Sequence, residues 1–382
     1  MSAYEDREQT EAKHFILKGY LQELAFKVLH GWDLAYIDGF SGPWESKAED
    51  FSDTSFMIAL SVLKDAQKRV YEQTGRRSRI RCFFSEKDAE AYAKLSAAVA
   101  AFHDPANGFE VKTFHGQFVD AVSGIKAFVG TCFPLIFIDP TGWTGYPFDA
   151  IGPLLTGSKC EVLINFMYGH VSRFVEHPDE KVIASLDPIL GGPGWRARLD
   201  PNLKPGLAVE QLFRETLQDA GRFAFVVSTK IDKATQDRPH FFLAYGTKDR
   251  RGLIAFRETE FRALKLHARN RSEAKSRERQ KRTATQDMFS DHEADLQEQS
   301  IAELVEEQML EAKLRIVELL ERSGGMRFAE LVDRVLPEFV LRETNVKDLC
   351  VNLEREGRIT KTWDGASRKP QDNSRIQLAS GS

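Results

Sequence analysis

Cysteine is scarce in this chain, and the little there is lies scattered. Four cysteines occur in 382 residues. Cys82, Cys132, Cys160 and Cys350 include no two at metal-ligand spacing, which argues against a zinc ribbon or a disulfide framework. The first three sit in apolar runs, so buried free thiols in a reducing compartment are expected. Long hydrophobic runs are missing too. Nothing approaches the roughly 18–20 apolar residues of a spanning helix, and the opening Met1 to Thr10 is polar and acidic, unlike a secretory signal. A cytoplasmic protein without a membrane partner is the expectation. Net charge is also small: 53 Lys and Arg face 57 Asp and Glu, a balance of −4. A nucleic-acid partner must therefore be met by a local basic patch.

What is present is an ordinary globular composition, 42% hydrophobic and 29% charged, at a length that suggests two or three domains. The first two-thirds alternates helical periods with short apolar strands. A helix over Thr10–Leu29 precedes strands at Leu34–Ile37, Ile80–Phe84, Phe109–Phe114, Pro134–Ile138 and Val162–Phe166, with helices at Ser55–Val70 and Ala89–Phe102. This rhythm implies a parallel, doubly wound sheet. Two further strands, Phe223–Thr229 and Phe241–Tyr245, leave no room for a helix between them and should form an antiparallel hairpin at the sheet edge. Plain dinucleotide-binding folds do not end this way; methyltransferase sheets do. The stretch from Met167 to Ala220, with Gly191 to Trp195 at its centre, reads as a substrate-recognition insertion.

The run Asp38-Gly39-Phe40-Ser41-Gly42-Pro43-Trp44 follows the first strand. A strand feeding an acid and a tight Gly turn brings backbone amides close to a ligand. The second strand ends at Glu86, whose carboxylate suits both ribose hydroxyls of an adenosine; a solvated residue opening the next helix is the plainer alternative. After the third strand, Gln117 offers an amide for an adenine ring. The fourth strand delivers Asp139-Pro140-Thr141-Gly142-Trp143. An oxygen acceptor such as Asp139 beside a methyl donor binds the hydrogens of an aromatic amine and stabilises the positive charge that develops on it. Pro140 would fix this turn, and Trp143 or Tyr146 would stack on an extruded base. A capping Asp with Trp143 in the core is the competing reading. His14 and His170 are read as ordinary histidines. No metal is called for.

From Arg262 to Arg282, nine Lys or Arg face two Glu, either a solvated helical linker or a phosphate-contacting strut. Helices at Ile301–Arg322, Arg327–Leu336 and Arg342–Gly357 and strands at Ile359–Trp363 and Arg375–Leu378 then suggest a winged helix-turn-helix. Asn345 and Lys347 would lie on its recognition helix, and Lys361, Arg368, Lys369 and Arg375 on or near its wing, where phosphate contacts are made. Protein docking is the other use of such a domain. The expected organisation is an α/β domain over 1–260, a charged linker over 261–300 and a winged helix over 301–382.

In Lys13-His14, Tyr36 to Pro43, Phe84 to Lys87, Phe137 to Pro140 with Gly142, Val162 to Phe166, Leu190 to Trp195 and Tyr245-Gly246-Thr247, the chain resembles the three-Cys-motif partner proteins, bacterial methyltransferase-like proteins. The resemblance covers roughly Lys13 to Phe256, and the C-terminal block is similar to the winged helix attached to some members. It implies a class I methyltransferase-like fold, a Rossmann-like sheet that binds S-adenosylmethionine, and a separate three-cysteine protein as partner. The chain departs from well-known methyltransferases in having Trp44 at the end of the first-strand loop and Thr141-Gly142 after Asp139-Pro140. Three functions are expected to compete: a methyltransferase acting on an exocyclic amine of a nucleic-acid base, a non-catalytic scaffold or sensor, and a methyltransferase acting on a protein or small molecule.

Overall fold

The structure, a computed structural model, describes residues 7–43, 46–175, 177–283, 290–363 and 368–379, with the backbone alone at 170, 281–283 and 290–300. Trp44 lies outside the described residues. The chain divides into two compact units, Met1–Gly252 and Leu253–Ser382.

The first unit is built on one seven-stranded sheet: β1 (Leu34–Asp38), β2 (Ile80–Glu86), β3 (Phe109–His115), β4 (Phe133–Ile138), β5 (Glu161–Phe166), β6 (Phe225–Asp232) and β7 (Pro239–Thr247). Their order across the sheet is β3-β2-β1-β4-β5-β7-β6. The pairs β1·β2, β1·β4, β2·β3 and β4·β5 are parallel, whereas β7 runs antiparallel to both β5 and β6. The expected edge hairpin is present, with its second strand seated against β5 and its first outermost. β1 and β5 are buried along their whole length, as strands covered on both faces must be.

Among the described residues, α1 (Glu8–Leu29) precedes β1, and α2 (Ser55–Thr74), α3 (Ala89–Ala100), α4 (Val122–Val129), α5 (Phe148–Leu155), α6 (Tyr168–Phe174), α7 (Glu180–Ala184), α8 (Asp187–Leu190) and α9 (Pro205–Gly221) lie between later strands. Local chemistry sets their limits. Thr54 caps α2 through the Met57 amide, and Gly75, at a left-handed φ of 71°, closes it. Asp88 caps α3 through the Ala91 amide. The stretch from Met167 to Ala220 is more than an insertion laid on the surface. Ile183, Leu186, Ile189, Leu190, Trp195 and Phe213 all join the main core, so this segment completes one face of the sheet.

A buried polar knot ties α1 to the sheet. Tyr20 donates to Glu161 Oε2 at 2.5 Å and meets the Tyr245 hydroxyl at 2.5 Å, while Thr247 donates to Glu161 Oε1 at 2.9 Å. Burial pushes the Glu161 carboxyl above its ordinary range, against the hydrogen bonds it accepts.

The second unit contains α10 (Arg250–Thr283, begun in the first), α11 (Ser290–Ser323), β8 (Met326–Arg327), α12 (Phe328–Glu338), α13 (Glu343–Arg355) and β9 (Arg375–Ile376). β8 pairs antiparallel with β9, and Ile359 bridges Leu378. The basic run over Arg262 to Arg282 is helical but not simply solvated: His267, Ala268, Arg271, Ser272, Ala274 and Ser276 are buried. Arg257 forms a buried ion pair with Glu260 at 2.5 Å and donates to the Leu336 carbonyl. Cys82, Cys132, Cys160 and Cys350 are all free and buried.

Candidate functional site

The winding of the sheet reverses between β1 and β4, and the crevice outside their carboxyl ends is where open α/β sheets bind ligands. A cleft of about 350 Å³ opens there, lined by the turn after β1, the start of α1, the turn after β4 and the ends of β5 and β7. Of the sequence candidates, Phe40, Gly42, Asp139 and Pro140 line it. Glu86 and Gln117, on the β2 and β3 side, are not among its lining residues.

Asp139 is the centre of this cleft, and both its oxygens are engaged. Lys13 Nζ, from α1, lies 2.5 Å from Oδ2, and Asn165 Nδ2, from β5, donates to Oδ1 at 2.7 Å. The carboxylate fixes the orientation of the Asn165 amide, because only its NH₂ can donate. Among the described residues, Asn165 Oδ1 is then left buried without a partner. His14, beside Lys13, is held neutral, its pKa brought down to about 3 by burial first and by the Lys13 charge second. Arg7, Ser46 Oγ and the Lys47 amide all donate to the buried Asp53, at 2.7, 2.6 and 2.9 Å. This clasp holds the start of α1 against the loop after β1.

The turn after β1 is organised from within. Asp38 is wholly buried. Its oxygens accept from the Phe40 amide at 3.1 Å and from Ser55 Oγ at 2.7 Å. Burial raises its pKa to about 6, partly offset by those two hydrogen bonds. Asp38 therefore shapes the turn instead of reaching a ligand. The glycine at Gly39 also has an internal cause: a Cβ there would lie 2.9 Å from the Phe118 ring. Glu86 is buried at the end of β2, accepts from the Asp88 amide at 2.7 Å, and has its pKa raised by burial. Gln117 is exposed at the end of β3.

The two aromatic candidates separate. Tyr146 is fully buried, edge-on to Phe40 and Phe148, so it offers no face for stacking. The apolar core claims its ring because Pro147 and α5 follow at once. Trp143 is partly buried, packs on Phe174 with ring centroids 5.0 Å apart, and donates its indole N–H to Ser185. Both of its anchors lie in the stretch following β5.

In the second unit, Asn345 turns inward. Its Oδ1 accepts from the Arg342 amide at 3.0 Å, capping α13, and the residue is 9% exposed, which removes it from a recognition surface. Lys347 pairs with Glu343 at 2.7 Å, and Lys369 with Asp348 at 2.5 Å. Lys361, Arg368 and Arg375 are exposed. Sequence reasoning quoted Lys13 and Asn165 within longer motifs but gave neither a role. A pairing of α1 with β4 and β5 spans 126 residues and has no local signature. Among the described residues no cluster suits a metal ion, and no helix is long and apolar enough to cross a membrane.

No family model matches the sequence. No curated protein matches it significantly.

Proposed function

We propose that this protein is an S-adenosylmethionine-dependent methyltransferase acting on an exocyclic amine of a nucleic-acid base. The observation that carries the reading is β7, a strand reversed between β5 and β6 in an otherwise parallel sheet, with the cleft at the β1–β4 reversal point. Methyltransferase sheets end in this way, whereas the plain dinucleotide-binding order continues parallel through its sixth strand. The resemblance to the three-Cys-motif partner proteins points in the same direction.

The chain's residues fit the methyl donor. Glu86 is a buried acid with its pKa raised by desolvation, which ribose hydroxyls would relieve by donating to it. Gly39, Phe40 and Gly42 would border the donor and Gln117 would meet its adenine, while Asp38 holds their turn in shape. When bound, the group supplies an electrophilic methyl on a sulfonium. The protein's part is to orient the amine, exclude water and stabilise the charge that grows on its nitrogen. Asp139, Asn165 and Pro140 bring oxygen acceptors together for that purpose, and the unpartnered Asn165 Oδ1 adds one that the sequence motif alone does not suggest. Trp143 would border the base.

The second unit places three helices, α11, α12 and α13, beside β8, β9 and the Ile359–Leu378 bridge. That order suits a winged helix-turn-helix, with Lys361, Arg368 and Arg375 available for phosphates. A non-catalytic scaffold is the second reading, favoured by Lys13 and Asn165 engaging both Asp139 oxygens. Transfer of a radiolabelled methyl group to mixed DNA and RNA separates the two. Incorporation lost in Asp139→Ala with donor binding intact supports the enzyme; incorporation that survives Asp139→Ala removes the amine mechanism.

A further inference from the structure

A second cavity, of about 900 Å³, lies in the first unit at the opposite edge of the sheet from the cleft. It is bordered by α2, by the segment entering β2, and by the loop entering β3. Five of its lining residues are cationic, Lys64, Lys68, Arg76, Arg77 and Arg79, against the carboxylates of Asp65 and Asp104. Lys64 and Lys68 stand one helical turn apart on α2, and Tyr71, 48% exposed, follows on the same stripe. Over that stripe α2 rises about 10 Å.

The walls are tied together from below. Gln67 Nε2 donates to the carbonyls of Ser78, Asn107 and Gly108, at 2.8, 3.1 and 3.4 Å. Asp33 takes the Arg79 amide and guanidinium at 2.8 and 2.9 Å and approaches Arg76 at 4.0 Å. Lys64 is turned toward Asp104, 3.6 Å away, and Lys68 reaches Glu72 only at 3.9 Å. Arg77 has no carboxylate within ion-pair distance, and Arg76 Nε is buried without an acceptor, both among the described residues. The groove is thus held open with cationic donors to spare.

We propose that this groove binds a single strand of nucleic acid, its phosphates on Lys68, Arg76 and Arg77 and a base against the Tyr71 ring. Basic grooves with an exposed aromatic are how proteins hold single strands without reading sequence. The phosphates supply most of the affinity, and the aromatic face favours a nucleic acid over other polyanions. The groove would anchor a long strand away from the cleft. This inference stands apart from the methyl-donor reading and does not require it.

The test is fluorescence anisotropy of the full chain with a labelled single-stranded DNA of about 20 nucleotides, ample for a groove of this kind, over a series of salt concentrations. Lys68 and Arg77 are exposed, so the double variant K68E/R77E should melt like the wild type. It is expected to lose about tenfold or more in affinity, and the salt slope should shrink by about 1.4 for two lost phosphate contacts. Tyr71→Ala should weaken binding while leaving the slope unchanged. Unchanged affinity and slope in K68E/R77E, or no binding by the wild type, overturns the proposal. So does complete loss of binding in K361E/R368E alone, which would place the strand in the second unit. A phosphoserine peptide held as tightly as the DNA, with the same loss in K68E/R77E, overturns the assignment to nucleic acid.

Discussion

Lys13 Nζ on α1 sits 2.5 Å from Asp139 Oδ2 in the turn after β4, with side chains only 10% and 16% exposed. The pair closes the first helix onto the reversal point of the sheet. Removing one partner leaves the other charge poorly solvated. Lys13→Met is expected to cost about 3 kcal/mol of stability, and K13M/D139N to recover most of it, since a buried pair replaced as a whole is often nearly neutral. Urea unfolding of the single and double variants checks this. A single variant as stable as the wild type would show the pair to be loose.

His14 gives this region an acid-sensitive component. Its pKa is about 3 when folded against 6.5 ordinarily. Between those values the unfolded chain binds the proton and the folded chain does not. Stability from His14 is therefore full above pH 6.5 and lost as the pH falls toward 3, at up to about 1.4 kcal/mol per pH unit. Asp38, raised to about 6, acts oppositely, stabilising less as the pH rises from its ordinary 3.8 to 6. The difference between wild type and His14→Gln isolates the histidine. Denaturation midpoints at pH 7.5 and 5 should converge or cross in favour of the variant on acidification; a constant difference would contradict the assignment.

Tyr20 and Thr247 supply hydroxyl donors to Glu161 in the core. Tyr20→Phe strands Glu161 Oε2 and should cost about 1–3 kcal/mol. Thermal melting reads this directly. A negligible loss would mean that another group takes over the contact.

Gly39 tests whether the first turn is shaped by packing. Gly39→Ala drives a methyl against Phe118 and should destabilise the protein by about 1–3 kcal/mol, with G39A/F118L recovering part of that. A loss indifferent to Phe118→Leu would show that something other than the Phe118 ring demands a glycine there.

These residues also show how far the sequence can be read. The strands were legible because uninterrupted apolar runs such as Leu135–Ile138 and Val162–Ile164 have no other stable place than a covered sheet, and the short β6–β7 link forced an antiparallel pair. The edge strand of two residues, Met326–Arg327, carries too little pattern to be seen. Asp38 looked like a ligand residue from its place in the turn, but its role is decided by Ser55 arriving from α2. Tyr146 reads as a stacking platform from its place after the fourth strand, but its ring is buried against Phe40 and Phe148. Asn345 looked like a recognition residue, yet the amide three residues back on the chain claims its side chain. Asn165 sits in a strand whose apolar character hid it, and its importance arises only from Asp139 across the β4–β5 pairing.

The measurement that bears most directly on the central claim is calorimetric titration of the full chain with S-adenosylmethionine and S-adenosylhomocysteine, beside Glu86→Ala. The account predicts saturable binding of both, weakened about tenfold or more in the variant by loss of charge-assisted hydrogen bonds to the ribose. A folded wild-type protein that binds neither would contradict the methyltransferase reading and favour the scaffold.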